Sequence, residues 1–182
     1  MFGGSMPDDV SFSGCTFNNI DNVIYAKNYK HLLVKDCCFY NVASAILIDG
    51  TTIIAIGNRY NGNNRSKVIG VFNNIEEGRF LFHTNSNDFI KFSDISHNSI
   101  FNAYSHGIGV TLQNSVVNGN TIFNSGKHGL YLYGFMQVIA SGNNCGNNGQ
   151  LSGYTGYDGY IASGSVGLSK CGYSTVKCNQ GT

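Results

Sequence analysis

Acid–base chemistry in this 182-residue chain has few side chains to draw on. Asp and Glu together number 10, and the only two glutamates adjoin at Glu76 and Glu77. General acid–base work needs at least one proton donor and one acceptor facing the same substrate. Glu76, Glu77, Asp49 and Asp88 are the carboxylates that the chain's periodicity, developed below, brings nearest to one surface. An elimination would instead use a base together with cations that neutralise developing charge, for which Lys91, Arg79 and His83 stand in the same region. His106 and His128 are 22 residues apart, each immediately before a glycine. They read either as a proton-transfer pair or as turn histidines that bond to the backbone beneath them. Recurrence with the repeat favours the second reading. The six cysteines (15, 37, 38, 145, 171 and 178) show no zinc-ligand spacing and read as small buried hydrophobes, so neither a metal nor another cofactor is expected.

The elements that must position these groups come from a repeat. Ile95-Ser-His-Asn98-Ser-Ile100-Phe-Asn102 returns 22 residues later as Val117-Asn-Gly-Asn120-Thr-Ile122-Phe-Asn124, and Ser105-His106-Gly107-Ile108 returns as Lys127-His128-Gly129-Leu130. A third copy runs from Val138 through Asn143 and Cys145 to Asn147. Upstream, three columns stay in register. One reads Ile24, Ile46, Val68, Ile90, Ile108 and Leu130. A second reads Phe17, Phe39, Tyr60, Ile100, Ile122 and Cys145. The third reads Cys15, Cys37, Asn58, Asn98, Asn120 and Asn143. A fixed period in the twenties marks a stacked repeat. Within a unit the apolar residues alternate by two, no 3.6 period is sustained, and Asn-Gly interrupts mid-unit. Three short strands per 22-residue coil predict an all-β parallel β-helix in which equivalent side chains stack inside a tube.

About seven coils are expected in a single domain spanning 1–182, regular over about 10–148 and irregular from 149 to 182. The 40-residue spacing between Asn58 and Asn98 reads as two coils sharing a shortened allotment. The repeated asparagines read as structural, taking left-handed turn conformations and bonding to one another up the stack. Composition agrees with this architecture: charged residues are only 12%, glycines number 24, there is one proline, and net charge is +1. Nothing in that balance calls for nucleic acid or a membrane surface. No apolar run reaches the roughly 18 residues of a bilayer span. The N-terminal residues also lack a signal-peptide pattern. No amphipathic capping helix is visible at either end, and an uncapped coil exposes a sheet edge, so a homo-oligomer or a fragment of a longer chain is expected.

The pattern V-x-G-N-x-I-x-N-S-x-x-H-G-L-x-L, from Val117 to Leu132, resembles the repeat of right-handed parallel β-helix proteins of the pectate-lyase-like superfamily. That group includes polysaccharide lyases, hydrolases, epimerases and the tailspike depolymerases of bacteriophages. The resemblance covers about residues 10 to 150 and is specific for fold, whereas activity depends on sites that the repeat itself does not carry. It implies polysaccharide as partner, lying on the outer face of one sheet. It also implies a trimeric assembly on a virion or outside a cell.

Alternation then assigns outward columns. Tyr25, Leu47, Ile69, Lys91, Gly109 and Tyr131 form one, and Lys27, Asp49, Val71, Ser93, Thr111 and Tyr133 form the next. Tyr25, Lys27, Lys91, Tyr131 and Tyr133, with His106 and His128 at the rim, are the expected substrate contacts, since sugar rings stack on aromatics and bond to polar groups. Asp49 with Glu76, Glu77 and Asp88 is the expected catalytic set, at the roughly 5 to 9.5 Å that glycoside hydrolysis requires between carboxyl groups. A non-catalytic fibre shaft or receptor-binding surface is the alternative. A monomeric secreted lyase fits less well, because no aspartate cluster for calcium stands on the reference strand.

Overall fold

The computed structural model describes residues 8–27, 29–49, 51–63, 79–83, 89–150 and 159–162. Its strands fall into three parallel stacks. The first holds β1 (Asp9–Ser13), β4 (His31–Lys35), β7 (Thr52–Ile56), β11 (Asp94–Ser96) and the C-terminal halves of two long bent strands, β13 (Ile108–Asn118) and β15 (Leu130–Ser141). The second holds β2 (Thr16–Asn18), β5 (Cys38–Tyr40), β8 (Arg59–Asn61), β12 (Ser99–Phe101), β14 (Thr121–Phe123) and β16 (Asn144–Gly146). The third holds β3 (Asn22–Lys27), β6 (Ser44–Asp49), β9 (Arg79–His83), the N-terminal halves of β13 and β15, and β17 (Gly159–Ala162). A two-residue strand, β10 (Ile90–Lys91), pairs with Leu112 and Gln113 at the bend of β13. The chain is therefore an all-β parallel β-helix of about 22 residues per coil.

The coils make about five turns, not seven, and the difference arises between Asn58 and Asn98. Asn58 donates its backbone N–H to the side-chain oxygen of Asn98, 40 residues on, at 3.0 Å. The two lie on adjoining rungs, so a single long coil occupies the interval that the spacing had divided into two. The third-stack strand of that coil is β9: Leu81 stands between Ile46 and Ile108, the place the spacing assigned to Val68 and then Ile90. Ile90 instead pairs with Leu112, and Phe92 takes a left-handed φ of 54° with its ring 69% exposed. Val68 and Gly70 lie outside the described residues. At the C-terminal end, β17 sets Gly159 opposite Leu130 and Tyr160 opposite Tyr131.

The core is the inside of the tube. Phe17, Phe39, Tyr60, Ile100, Ile122 and Cys145 stack in register along the second sheet. The Phe17 and Phe39 rings lie 5.2 Å apart and nearly parallel, and Phe80 packs edge-on against Phe39 at 6.1 Å. The Tyr60 hydroxyl donates to the carbonyls of Val42 and Ala43, which lets a polar tip sit in an apolar column.

Turns are held by ladders of side chains. Asn58, Asn98 and Asn120 each donate both the backbone N–H and Nδ2 to the Oδ1 of the next asparagine, ending at Asn143. Each Nδ2 also donates to a strand carbonyl: Val34, Ala55, Ile95 and Val117 in turn. The asparagines do not themselves take the left-handed conformation. The preceding residue does, at Gly57, His97, Gly119 and Gly142, as do Gly14 and Asp36 before Cys15 and Cys37 at the equivalent positions. Sharp reversal at that position leaves the asparagine free to turn its amide inward. A second ladder, Asn19–Asn41 and Asn61–Asn102–Asn124–Asn147, runs outside the turn after the second sheet, and there Asn19, Asn41, Asn102, Asn124 and Asn147 are themselves left-handed. A third is built from hydroxyls: Ser93 Oγ accepts from Ile53 N–H, and Ser115 Oγ from Ser93 N–H.

Candidate functional site

Among the described residues, the third sheet, expected to present an open binding face, is most open at its first rung. Tyr25 is 42% exposed, and Lys27 Nζ stands 3.5 Å from Asp49 Oδ2 on the rung above. Farther up, the outward positions close over. Leu47 is fully buried, and β13 is buried on both faces from Ile108 to Leu112. Outward alternation is right for Tyr25, Leu47, Gly109 and Tyr131, with Phe82 as the column's middle member. Leu47 and Gly109 are buried and Phe82 and Tyr131 half-buried, so a residue pointing away from the core is here still wholly or partly covered.

Rings fill that cover. Gly109 has no side chain, and a Cβ placed there would lie 2.7 Å from the Phe82 ring, so Phe82 occupies the space above it. His106 stacks on Phe82 at 6.3 Å, on His128 at 5.2 Å and on Tyr131 at 4.9 Å. His128 and Tyr131 are 5.0 Å apart. Both histidines are under a tenth exposed. The backbone N–H of His128 donates to His106 Nδ1 at 3.3 Å, so the imidazole closes a turn in the same way as the asparagines do. That acceptor role leaves the His106 ring proton on Nε2.

The other sequence-derived candidates separate. Lys91 does not share the Tyr25 column. It pairs with Gln113 at a corner, where its carbonyl accepts from the hydroxyl of Thr52. Ser93, expected on the outer surface, is buried in the hydroxyl ladder. His83 pairs with Ile48, whose side chain lies in the core, and is fully buried, so it faces no outer groove. A register shift between Val110 and Leu112 sets both Tyr133 and Gly134 against Thr111, and the Tyr133 side chain lies outside the described residues. Glu76, Glu77 and Asp88 lie outside them as well. Of the four expected catalytic carboxylates, Asp49 alone is placed, and it is engaged with Lys27.

The second sheet carries a further site, outside the two outward columns of the third sheet. Alternation about Phe39, Tyr60 and Ile100 turns their neighbours outward: Cys38 and Tyr40, Arg59 and Asn61, Ser99 and Phe101. Tyr40 and Phe101 are two rungs apart, about 10 Å at the usual strand spacing. The rung between them carries Asn61 in the same column. A groove of about 330 Å³ results, lined by Tyr40, Arg59, Tyr60, Asn61, Ser99 and Phe101. Tyr40 is 47% and Phe101 37% exposed. Phe123 continues the aromatic row, stacking on Phe101 at 6.4 Å, and its ring covers Gly146 on the next rung. The signal was present in the sequence as the residues flanking each core aromatic, but a short outward Asn between two aromatics shows as a groove only after stacking.

Few groups have shifted proton affinity. Lys30 is raised by its 2.9 Å hydrogen bond to Asp8 and by that carboxylate's charge, at the exposed edge of the first sheet. Burial pushes the Cys37 thiol up, with Cys15 stacked beside it on the rung below. No group of three or more metal-ligating side chains gathers among the described residues. Comparison with family models, with curated proteins and with solved structures finds no match to this chain.

Proposed function

We propose that the protein binds polysaccharide along the outside of its coil stack. One observation carries the reading: the second sheet sets exposed Tyr40 and Phe101 and half-buried Phe123 in a single column, with Asn61 among them and Arg59 and Ser99 alongside. Sugars have apolar C–H faces and hydroxyl rims, so aromatic walls over a polar floor match their two kinds of surface. A ribbed cylinder with equal rungs also repeats its contacts at a fixed interval, which suits a polymer better than a small solute.

The reading extends to cleavage in the manner of a tailspike-type depolymerase, with Asp49, Glu76, Glu77 and Asp88 as the carboxylates to test. A trimeric spike on a virion or outside a cell is the assembly this extension calls for. The non-catalytic alternative, a fibre shaft or receptor-binding surface, draws support from the engagement of Asp49 with Lys27 at 3.5 Å, an ordinary surface pair rather than an isolated acid.

Both are tested by incubating the protein with capsular and O-antigen polysaccharides and following chain length, reducing ends and the ultraviolet absorbance of unsaturated uronates. Shortening with new absorbance identifies a lyase, and shortening without it a hydrolase. Retention of polymer with no shortening identifies binding alone. Absence of both retention and shortening across the panel overturns the proposal.

A further inference from the structure

We infer that the groove of the second sheet is a subsite for a single acidic sugar, whose carboxylate pairs with Arg59 while its ring lies between Tyr40 and Phe101. This rests on the polysaccharide-binding reading and narrows it to a substrate class and a set of residues.

Arg59 is exposed on the rung between Cys38 and Ser99, neither of which is acidic. The ion pairs of the described residues are Lys27–Asp49, Lys30–Asp8, His31–Asp9 and Lys35–Asp36, and Arg59 belongs to none of them. A guanidinium presents a planar fork of donors that fits a carboxylate with two parallel bonds. It opens onto the groove that it lines.

Shape and polarity narrow the guest. Tyr40 and Phe101 stand about 10 Å apart along the stack, twice the strand spacing. A single flat ring in contact with both walls would span only about 7 Å of such a slot, whereas a puckered pyranose is thicker and fills more of it through its C–H faces. The volume of about 330 Å³ falls at the lower end of the range for small-molecule sites, which suits one sugar unit of a chain that continues past it. Asn61 supplies the floor. Its Oδ1 accepts from Asn63 N–H and Asn102 Nδ2, which fixes the amide and leaves Nδ2 to donate outward. Ser99 adds a hydroxyl on the Arg59 side. Aromatic walls, a fixed amide, a hydroxyl and a guanidinium that belongs to no ion pair among the described residues together describe a uronic acid or another carboxylated sugar.

Nothing in this assignment uses Asp49 or the stacked histidines, so the subsite is separable from any cleavage centre. Polygalacturonate and alginate are suitable acidic probes, and the same polymers after chemical reduction of their carboxyl groups are the matched neutral ones. Retention on the immobilised full chain is measured for the wild type and for Arg59→Ala, Arg59→Lys, Tyr40→Ala and Phe101→Ala, with circular dichroism confirming that each variant is folded.

The expected result is that at least one acidic polymer binds, that its reduced form binds at least tenfold more weakly, and that Arg59→Ala reproduces this loss. Arg59→Lys should recover part of it, since a lysine keeps the charge and loses the fork. The two aromatic truncations should weaken acidic and reduced polymer alike. Binding of the acidic polymers that is unchanged in Arg59→Ala and in both aromatic variants overturns the subsite and leaves polysaccharide binding to another face. Equal binding of native and reduced polymers overturns the acidic class. Failure of the wild type to retain any polysaccharide, neutral or acidic, overturns both readings. Arg59 is exposed, so its substitution tests the site even where an aromatic truncation destabilises the fold.

Discussion

Truncating Asn98 to alanine should cost far more stability than its small polar side chain implies. Asn98 is 1% exposed. Its Oδ1 accepts from the backbone N–H and Nδ2 of Asn58, both at 3.0 Å, and its Nδ2 donates to the Ala55 carbonyl and to Asn120 Oδ1, both at 2.9 Å. In Asn98→Ala, two buried donors on Asn58 and one buried acceptor on Ala55 lose these partners. A stranded buried group costs about 1–3 kcal/mol, so three of them bracket about 3–9 kcal/mol. The amide nitrogen of Asn58 keeps its bond to Val34, and a small cavity admits some relaxation, which places the expected loss at about 3–5 kcal/mol. Against a domain stability of about 5–15 kcal/mol that is a large share. The assay is urea unfolding followed by circular dichroism, with Asn144→Ala as control. Asn144 lies exposed on the outer face of β16, and such a change should fall within about 0.5 kcal/mol. Coils couple chiefly to their neighbours. Amide exchange should therefore quicken most at Arg59–Asn61 and Ser99–Phe101. Equal stability of the two variants, within about 1 kcal/mol, would refute the view that the internal amide ladder holds the turns.

Other outcomes follow from the same geometry. Gly107→Ala should destabilise by about 1–3 kcal/mol, because a Cβ there would stand 2.8 Å from the Gly129 carbonyl, a backbone atom with little room to yield; a melting temperature like that of the wild type would contradict this. Asp49→Asn should change stability by less than about 1 kcal/mol, as expected for loss of a surface pair. If polymer cleavage is detected, its loss in Asp49→Asn would then report chemistry rather than folding. Cys37 should be alkylated by iodoacetamide more slowly than Cys15 or Cys38, since burial favours its neutral thiol; peptide mapping that finds Cys37 modified first would overturn that assignment. The sign of the linked pH effect follows from the folded thiol being raised. Its contribution is complete below the unfolded thiol's range near about 8.5 and declines as pH rises above it, so alkaline unfolding should be shallower in Cys37→Ala.

The repeat columns translate directly into structure where the coil length is constant. Phe17 through Cys145 and Asn58 through Asn143 stack as their spacing requires, because parallel in-register pairing places residues one period apart on adjoining rungs. Legibility fails where the period does. The 40 residues from Asn58 to Asn98 admit two short coils or one long one on spacing alone, and the direct pairing of β7 with β11 and of β8 with β12, with the bond between those two asparagines, decides for one. The conformation of the turns differs from the sequence expectation for a related reason. Asparagine tolerates the left-handed region, but so does the glycine, aspartate or histidine before it, and the inward amide requires the reversal to come first.

By itself, then, the sequence determined the architecture: the period, the three strands per coil, which side chain of each pair turns inward, and the columns that stack. These are local and periodic properties, set by alternation and by turn chemistry repeated at a fixed interval. Tertiary structure alone decided which outward faces stay open. Leu47 and Tyr40 are both outward by alternation, yet one is fully buried and the other 47% exposed. Exposure depends on what else packs over a face, and groove depth depends on the sizes of side chains on successive rungs. Asn61 between Tyr40 and Phe101 makes a cleft only because those three residues, 21 and 40 apart along the chain, are neighbours across the sheet.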